Sequence, residues 1–168
     1  MQRLILMRHA EAERQAPGLG DFDRGLTADG RAEARLVGRA LANAGLSPDL
    51  ALVSPARRAL ETWRAVAEAS PRAAEQLDQS LYAASAVRLA AAVREAAGGG
   101  DVLILVGHNP GIHQYAIHLA IQAGASETGA RPLFDRFPTA TAAVFAVDPD
   151  GRPAFERLLL ARDLRDKA

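Results

Sequence analysis

Apolar residues in this chain fall into two kinds of pattern, and the alternation between them predicts the fold. Unbroken runs from Leu4, Leu50 and Val102 lie within strands at 3–7, 50–53 and 101–106 that read as buried on both faces. Between them lie longer segments of helical composition. The first, 28–44, follows Thr27, a good N-cap, and is closed by Gly45. The second opens at Ser54-Pro55, with serine placed for the cap and proline for the first helical position, and Pro71 ends it. A third, 86–97, stops at Gly98-Gly99-Gly100, and a fourth starts at Asn109-Pro110 and runs to about residue 123. The stretch 10–26, broken by Pro17, Gly18, Gly20 and Gly25, reads as a loop. Residues 74–82 read as a short strand and a loop, and 124–138, with two prolines, as irregular. Two further strands, 141–147 and 155–160, flank a turn at Asp148-Pro149-Asp150-Gly151 and form a hairpin.

This order predicts an α/β three-layer sandwich: a mostly parallel sheet, helices on both faces and an antiparallel hairpin at the C-terminal edge. No internal repeat or composition break divides the chain, so residues 1–168 read as a single domain. The formal net charge is zero, which argues against a nucleic-acid partner. Lys167 is the only lysine among 20 basic residues, a bias that reads mainly as coding preference. Cysteine is absent, which excludes a disulfide framework, a thiolate nucleophile and a thiolate zinc site. The first apolar run is short and interrupted by arginine, so a signal peptide is not expected, and no run reaches the roughly 18 residues of a membrane span. The expectation is a cytoplasmic protein with no membrane partner.

Candidate chemistry sits at strand ends. The first strand runs into Arg8-His9 and the third into Gly107-His108. In an open α/β sheet, ligands bind outside the carboxyl ends of the strands. Two imidazoles with a guanidinium beside them suit a phosphoryl group: neutral histidine is a competent nucleophile, and arginine binds phosphoryl oxygens in a bidentate way. The competing account of His9 is a hydrogen-bonding cap on a strand end. Arg57 and Arg58 lie one turn into the second helix; they fit an anion site or a solvated face paired with Glu61, and their angular offset lets only one enter a site. Arg24, just before the first long helix, could close over a phosphate or form a surface salt bridge. Gly107 would allow close backbone approach, and His108 could donate to a phosphoryl oxygen. His113 and His118 read as helix or surface residues, and Trp63 and Tyr82 as packing groups.

Taken in order, these segments resemble the histidine phosphatase superfamily, of phosphoglycerate mutase-like fold. Arg8-His9-Ala10 corresponds to its R-H-G, Ser54 to Thr62 matches S-P-x-x-R-A-x-x-T position by position, and Gly107-His108 matches its second histidine. The match selects Arg58 over Arg57. Arg24-Gly25-Leu26-Thr27 and Phe137-Pro138-Thr139-Ala140 resemble the R-P-L-T and F-P-T-G of the compact SixA-type phosphohistidine phosphatases. The resemblance implies His9 as nucleophile, with Arg8, Arg58 and His108 as catalytic partners. Arg8, Arg24, Arg58 and His108 would bind the substrate phosphate, with no cofactor and no metal. Two departures stand out. Ala10 replaces glycine, a methyl group that could tighten the pocket. The glutamate general acid of larger members is missing, with Asp78 the only nearby carboxylate and Ser80 closer to the expected place.

The substrate implied is phosphohistidine on a partner protein, because an imidazole leaving group needs less protonation than an alkoxide. Alternatives are a small phosphomonoester or phosphoramidate, a non-catalytic phosphoprotein-binding module, and a metal hydrolase built on His9, Glu11, His108 and His113. The last lacks helical ligand spacing, since His108, His113 and His118 lie five apart.

Overall fold

The computed structural model describes residues 1–125 and 127–165. Six strands form one sheet: β1 (Arg3–Arg8), β2 (Leu50–Val53), β3 (Ala74–Leu77), β4 (Val102–Gly107), β5 (Ala142–Val147) and β6 (Pro153–Leu159). Their order is β3-β2-β4-β1-β5-β6. The first four run parallel, while β5 is antiparallel to β1 and β6 to β5. The expected sheet and its edge hairpin are both present.

Unbroken apolar runs occur because both faces are covered, with successive side chains entering different cores. Ile5, Met7, Ile104 and Val106 face a core shared with α1 (Ala28–Asn43), α2 (Arg57–Ala67) and α6 (Ala161–Arg165). Leu4, Leu6, Leu103 and Leu105 face the opposite core, shared with α3 (Ala86–Glu95), α4 (Gly111–Gln122) and α5 (Glu127–Asp135). Leu6 and Leu105 are wholly buried, and truncating either to alanine is expected to cost about 2–5 kcal/mol. Trp63 packs in the first core, as expected.

Three local expectations change. Helix α2 begins at Arg57 with Ala56 at its cap and no side-chain capping bond, so Ser54 and Pro55 precede it. The Ser54 hydroxyl has another partner, described below. Helix α4 begins at Gly111, after a cis Asn109-Pro110 bond, with Pro110 at the cap. A Cβ at Gly111 would lie 1.9 Å from the Ala84 carbonyl oxygen, so only glycine lets this helix start approach so closely. The stretch 124–138 contains α5 with Pro132 inside it. Proline removes a backbone donor there, but Ala130 and Leu133 are fully buried and the Leu133 carbonyl bonds to the His113 ring at 2.7 Å. Tertiary burial holds a helix that local propensity disfavours. Helix α6 was not anticipated, being too short to show a period.

Candidate active site

Sheet register brings the two histidines together. Arg8 pairs with Gly107 at the ends of β1 and β4, so His9 and His108 leave adjacent parallel strands at the same level. Neighbouring strands lie about 4.8 Å apart, and the two ring centroids are 5.2 Å apart. The backbone continues the ladder past the strand: His9 N–H donates to Gly107 O at 3.0 Å, and Ala140 N–H to His9 O at 3.1 Å. The nucleophile candidate is thus clamped between the end of β4 and the turn that leads into β5.

The His9 ring is oriented by its own neighbour. Its Nδ1 lies 2.8 Å from the Ala10 carbonyl oxygen, which can only accept, so Nδ1 carries the proton. In the neutral ring the lone pair is therefore on Nε2. Burial pushes the His9 pKa down to about 4; the Ala10 bond opposes this, and the charges of Arg58, Arg8 and Arg24 add to it. At neutral pH the imidazole is uncharged, as a nucleophile must be. Burial likewise pushes His108 down to about 3, with His9 and Arg58 contributing. His108 Nε2 is held 2.7 Å from the Ser54 hydroxyl, and its buried Nδ1 has no protein partner.

Arg8 reaches across the site, its Nη1 donating to the Phe137 carbonyl at 2.9 Å; Asn109 Nδ2 donates to the same oxygen at 2.9 Å. This gives Phe137-Pro138-Thr139-Ala140 a physical task, since the segment orients an arginine from the first strand. Arg57 and Arg58 separate as their angular offset predicts. Arg57 stays outside in an ion pair with Glu61 at 2.7 Å, while Arg58 is buried and turns toward the site. Thr62, last in the S-P-x-x-R-A-x-x-T segment, accepts from Ala10 N–H at 2.9 Å and donates to Arg58 O at 2.6 Å. One hydroxyl ties the nucleophile loop to the arginine helix.

Asp21, on a 3-10 turn in the loop after β1, gathers the remaining groups. Arg58 Nη2 donates to its carboxylate at 2.9 Å and Arg58 Nη1 to its backbone carbonyl at 2.6 Å. The Tyr82 hydroxyl donates to the same carboxylate oxygen at 2.9 Å, and Arg24 Nε to the other at 3.1 Å. Tyr82 also stands edge-on to His108, with ring centroids 5.7 Å apart, and to Phe22 at 5.2 Å. Burial works to raise the Asp21 pKa, but the Tyr82 hydrogen bond and the Arg58 and Arg24 charges leave it below the ordinary carboxyl range.

The structure therefore brings Arg8, His9, Arg24, Arg58 and His108 to one end of the sheet, and it corrects several details. The Ala10 methyl is fully buried in the core beneath α1 and α2, so it fills the interior instead of tightening the pocket. A Cβ at Gly107 would meet only the Leu105 and Ile112 side chains, at 3.4 and 3.7 Å, which are ordinary contacts, so packing within the protein leaves the expected approach of a ligand to this glycine open. Asp78 caps a 3-10 turn, accepting from the Ser80 hydroxyl at 2.6 Å and its N–H at 2.8 Å; these bonds, with the Arg88 charge, hold its carboxyl below the usual range. An ionised cap is a poor general acid. Ser54, Asp21 and Tyr82 are site residues that the sequence reading assigned elsewhere or passed over. Tyr82 and Asp21 lie 61 residues apart, with no local pattern to join them. Among the described residues no group of three or more histidines and carboxylates is placed to hold a metal ion, and no helix is long and apolar enough to cross a membrane.

Comparison with known proteins agrees with this fold. The family model for the histidine phosphatase superfamily (branch 1) matches residues 4–81. An uncharacterized protein of Mycobacterium tuberculosis is 31% identical over 141 residues, covering 84% of this chain and 87% of the relative. The crystal structure of a candidate phosphohistidine phosphatase, SixA, from Agrobacterium tumefaciens superposes with a TM-score of 0.78 at 31% identity, covering 95% of this chain and 97% of that one. A candidate alpha-ribazole-5'-P phosphatase from Escherichia coli K-12 shares the fold with a TM-score of 0.67 at 18% identity, over 96% of this chain and 98% of that one.

Proposed function

The chain belongs to the histidine phosphatase superfamily, and from that premise we propose that it is a metal-independent phosphatase for phosphohistidine borne on a partner protein. The observation that carries this reading is the His9 ring. Its Nδ1 proton is committed to the Ala10 carbonyl, its Nε2 is free, and its pKa is pushed down to about 4 beside Arg8 and Arg58.

In the reaction, His9 Nε2 attacks phosphorus in line. The new N–P bond forms as the bond to the leaving imidazole breaks, and that imidazole, already protonated on its other ring nitrogen, departs with the bonding pair as a neutral ring. Positive charge developing on the His9 ring is stabilised by the Ala10 carbonyl that accepts its Nδ1 proton. The guanidiniums of Arg8 and Arg58 face the phosphoryl oxygens and supply the positive charge that a metal would otherwise bring. The hydrogen bond between the Ser54 hydroxyl and His108 Nε2 holds the His108 ring against the phosphoryl site. Arg24 adds charge at the mouth. Water then attacks phosphorus, the N–P bond to His9 breaks, and inorganic phosphate leaves.

The substrate class follows from the acids. Both Asp21 and Asp78 are held ionised, so neither protonates an alkoxide leaving group well at neutral pH, whereas an imidazole leaves with less help. The test is hydrolysis of phosphohistidine by the purified protein in EDTA, wild type beside His9→Ala, with a phosphomonoester panel in parallel. Wild-type turnover of phosphohistidine, absent in the variant, is expected. Strong turnover of a sugar phosphate with none of phosphohistidine would overturn the substrate class. Substantial turnover by His9→Ala would overturn the nucleophile.

A further inference from the structure

Asp21 is an odd neighbour for a phosphate site. Its carboxylate lies on the same donors that an incoming phosphoryl group would use. Both terminal nitrogens of Arg58 bond to Asp21, one to the side chain and one to the backbone, and Arg24 Nε bonds to the second carboxylate oxygen. The Arg58 side chain is 7% exposed and that of Asp21 46%, so a buried cation faces a carboxylate with access to water. Arg58 Nε, meanwhile, is buried without a protein partner. A phosphate that engages the Arg58 terminal nitrogens has to share or displace Asp21.

We propose that Asp21 is a positioning residue that limits the grip of the site on free phosphate: it holds Arg58 and Tyr82 in place while offsetting part of the positive charge that phosphate meets. This rests on the phosphatase reading above and adds to it. A site made of Arg8, Arg24 and Arg58 without a counter-charge would retain the dianion it has just produced, and turnover would stall on release. With Asp21 present, departure of phosphate is coupled to return of the carboxylate to the same donors. The aspartate therefore does two things that substitutions can separate, because its geometry depends on an acceptor oxygen and its competition depends on charge.

Asp21→Asn keeps an acceptor oxygen for Arg58 and Tyr82 and removes the charge; Asp21→Ala removes both; Asp21→Glu restores the charge on a longer arm. Binding of inorganic phosphate is measured by titration calorimetry at pH 8, and phosphate is also measured as a product inhibitor of phosphohistidine hydrolysis. Asp21→Asn is expected to bind phosphate roughly fivefold more tightly, a modest factor because a half-exposed charge is screened. Its KM falls in step while kcat does not rise. Asp21→Ala binds more weakly than Asp21→Asn because Arg58 loses its anchor, and Asp21→Glu returns toward wild type. A residue that merely stabilised the turn would weaken binding in both Asn and Ala variants, or change neither, and either result overturns the proposal. Wild-type protein that binds no phosphate at all would overturn the phosphatase reading and this inference together. Wild type that binds, with Asp21→Asn no tighter, overturns the inference alone.

Discussion

The two halves of this site are held by different means. His9 and His108 are fixed by main chain: they continue two paired strands, and the ladder runs on through His9 N–H to Gly107 O. Arg58, Arg24 and Tyr82 are fixed by side chains that converge on one carboxylate in an exposed turn. A sheet ladder has one register, and changing it would turn every side chain to the wrong face. An ion-pair cluster is adjustable, because each member can exchange its partner for a ligand. On the mechanism proposed above, the half that aims a nucleophile at phosphorus is the rigid one, and the half that takes up and releases an anion is the exchangeable one.

Substitutions can break or sharpen that contrast. The largest effect is expected for His9→Ala, a loss of at least about 10⁴-fold in kcat with circular dichroism and melting essentially retained. Appreciable turnover would detach the rigid half from the chemistry. Arg58→Ala should lower kcat/KM by about 10²–10³-fold, the scale of one transition-state donor, whereas Arg24→Ala, nearer the solvent, should cost about tenfold, mostly in KM. Equal losses at the two arginines would contradict the graded clamp. Ser54→Ala should lower kcat about fivefold, the worth of one net hydrogen bond, because His108 loses the group that orients Nε2. Smallest is Asp78→Asn, expected to change kcat/KM less than about twofold; a large loss would restore Asp78 as a candidate acid.

The rigid half also has a signature in pH. The unfolded chain takes up protons on both imidazoles below about pH 6.5, while the folded chain holds them off until about 4 for His9 and about 3 for His108. Stability should therefore fall as pH is lowered through this window, by up to about 1.4 kcal/mol per pH unit for each proton. Chemical denaturation at pH 7 and pH 5 should show the fall in the wild type and a shallower one in His108→Gln. Identical slopes would mean that His108 is not held neutral. In the free enzyme the acid limb of kcat/KM should lie near pH 4, set by His9 and well below the ordinary histidine value.

Sequence legibility followed the same division. The strand runs, their order and the histidines at their ends were readable because buried parallel strands are nearly continuous apolar runs, and ligand position follows from strand direction. Arg8, Arg24, Arg58 and the two histidines emerged through motif spacing. Asp21 and Tyr82 did not, since their pairing spans 61 residues and depends on how two loops fold over the sheet. Ser54 is illegible as a site residue because a serine-proline pair ahead of a helix looks like a cap, and only the position of His108 shows its other use. Helix α5 was missed because Pro132 argues locally against it, while the buried Ala130 and Leu133 favour it through tertiary packing.

The Phe137 carbonyl carries a consequence for how this chain becomes functional as it is made. It receives Arg8 across 129 residues and Asn109 across 28. During synthesis His9, the arginine helix and His108 are all translated before this oxygen exists. A nascent chain halted after α4 carries every charged group of the site, yet Arg8 has no tether and β1 lacks its β5 neighbour. The geometry of Arg8 seen here is thus complete only when the segment after α5 has been made and has docked.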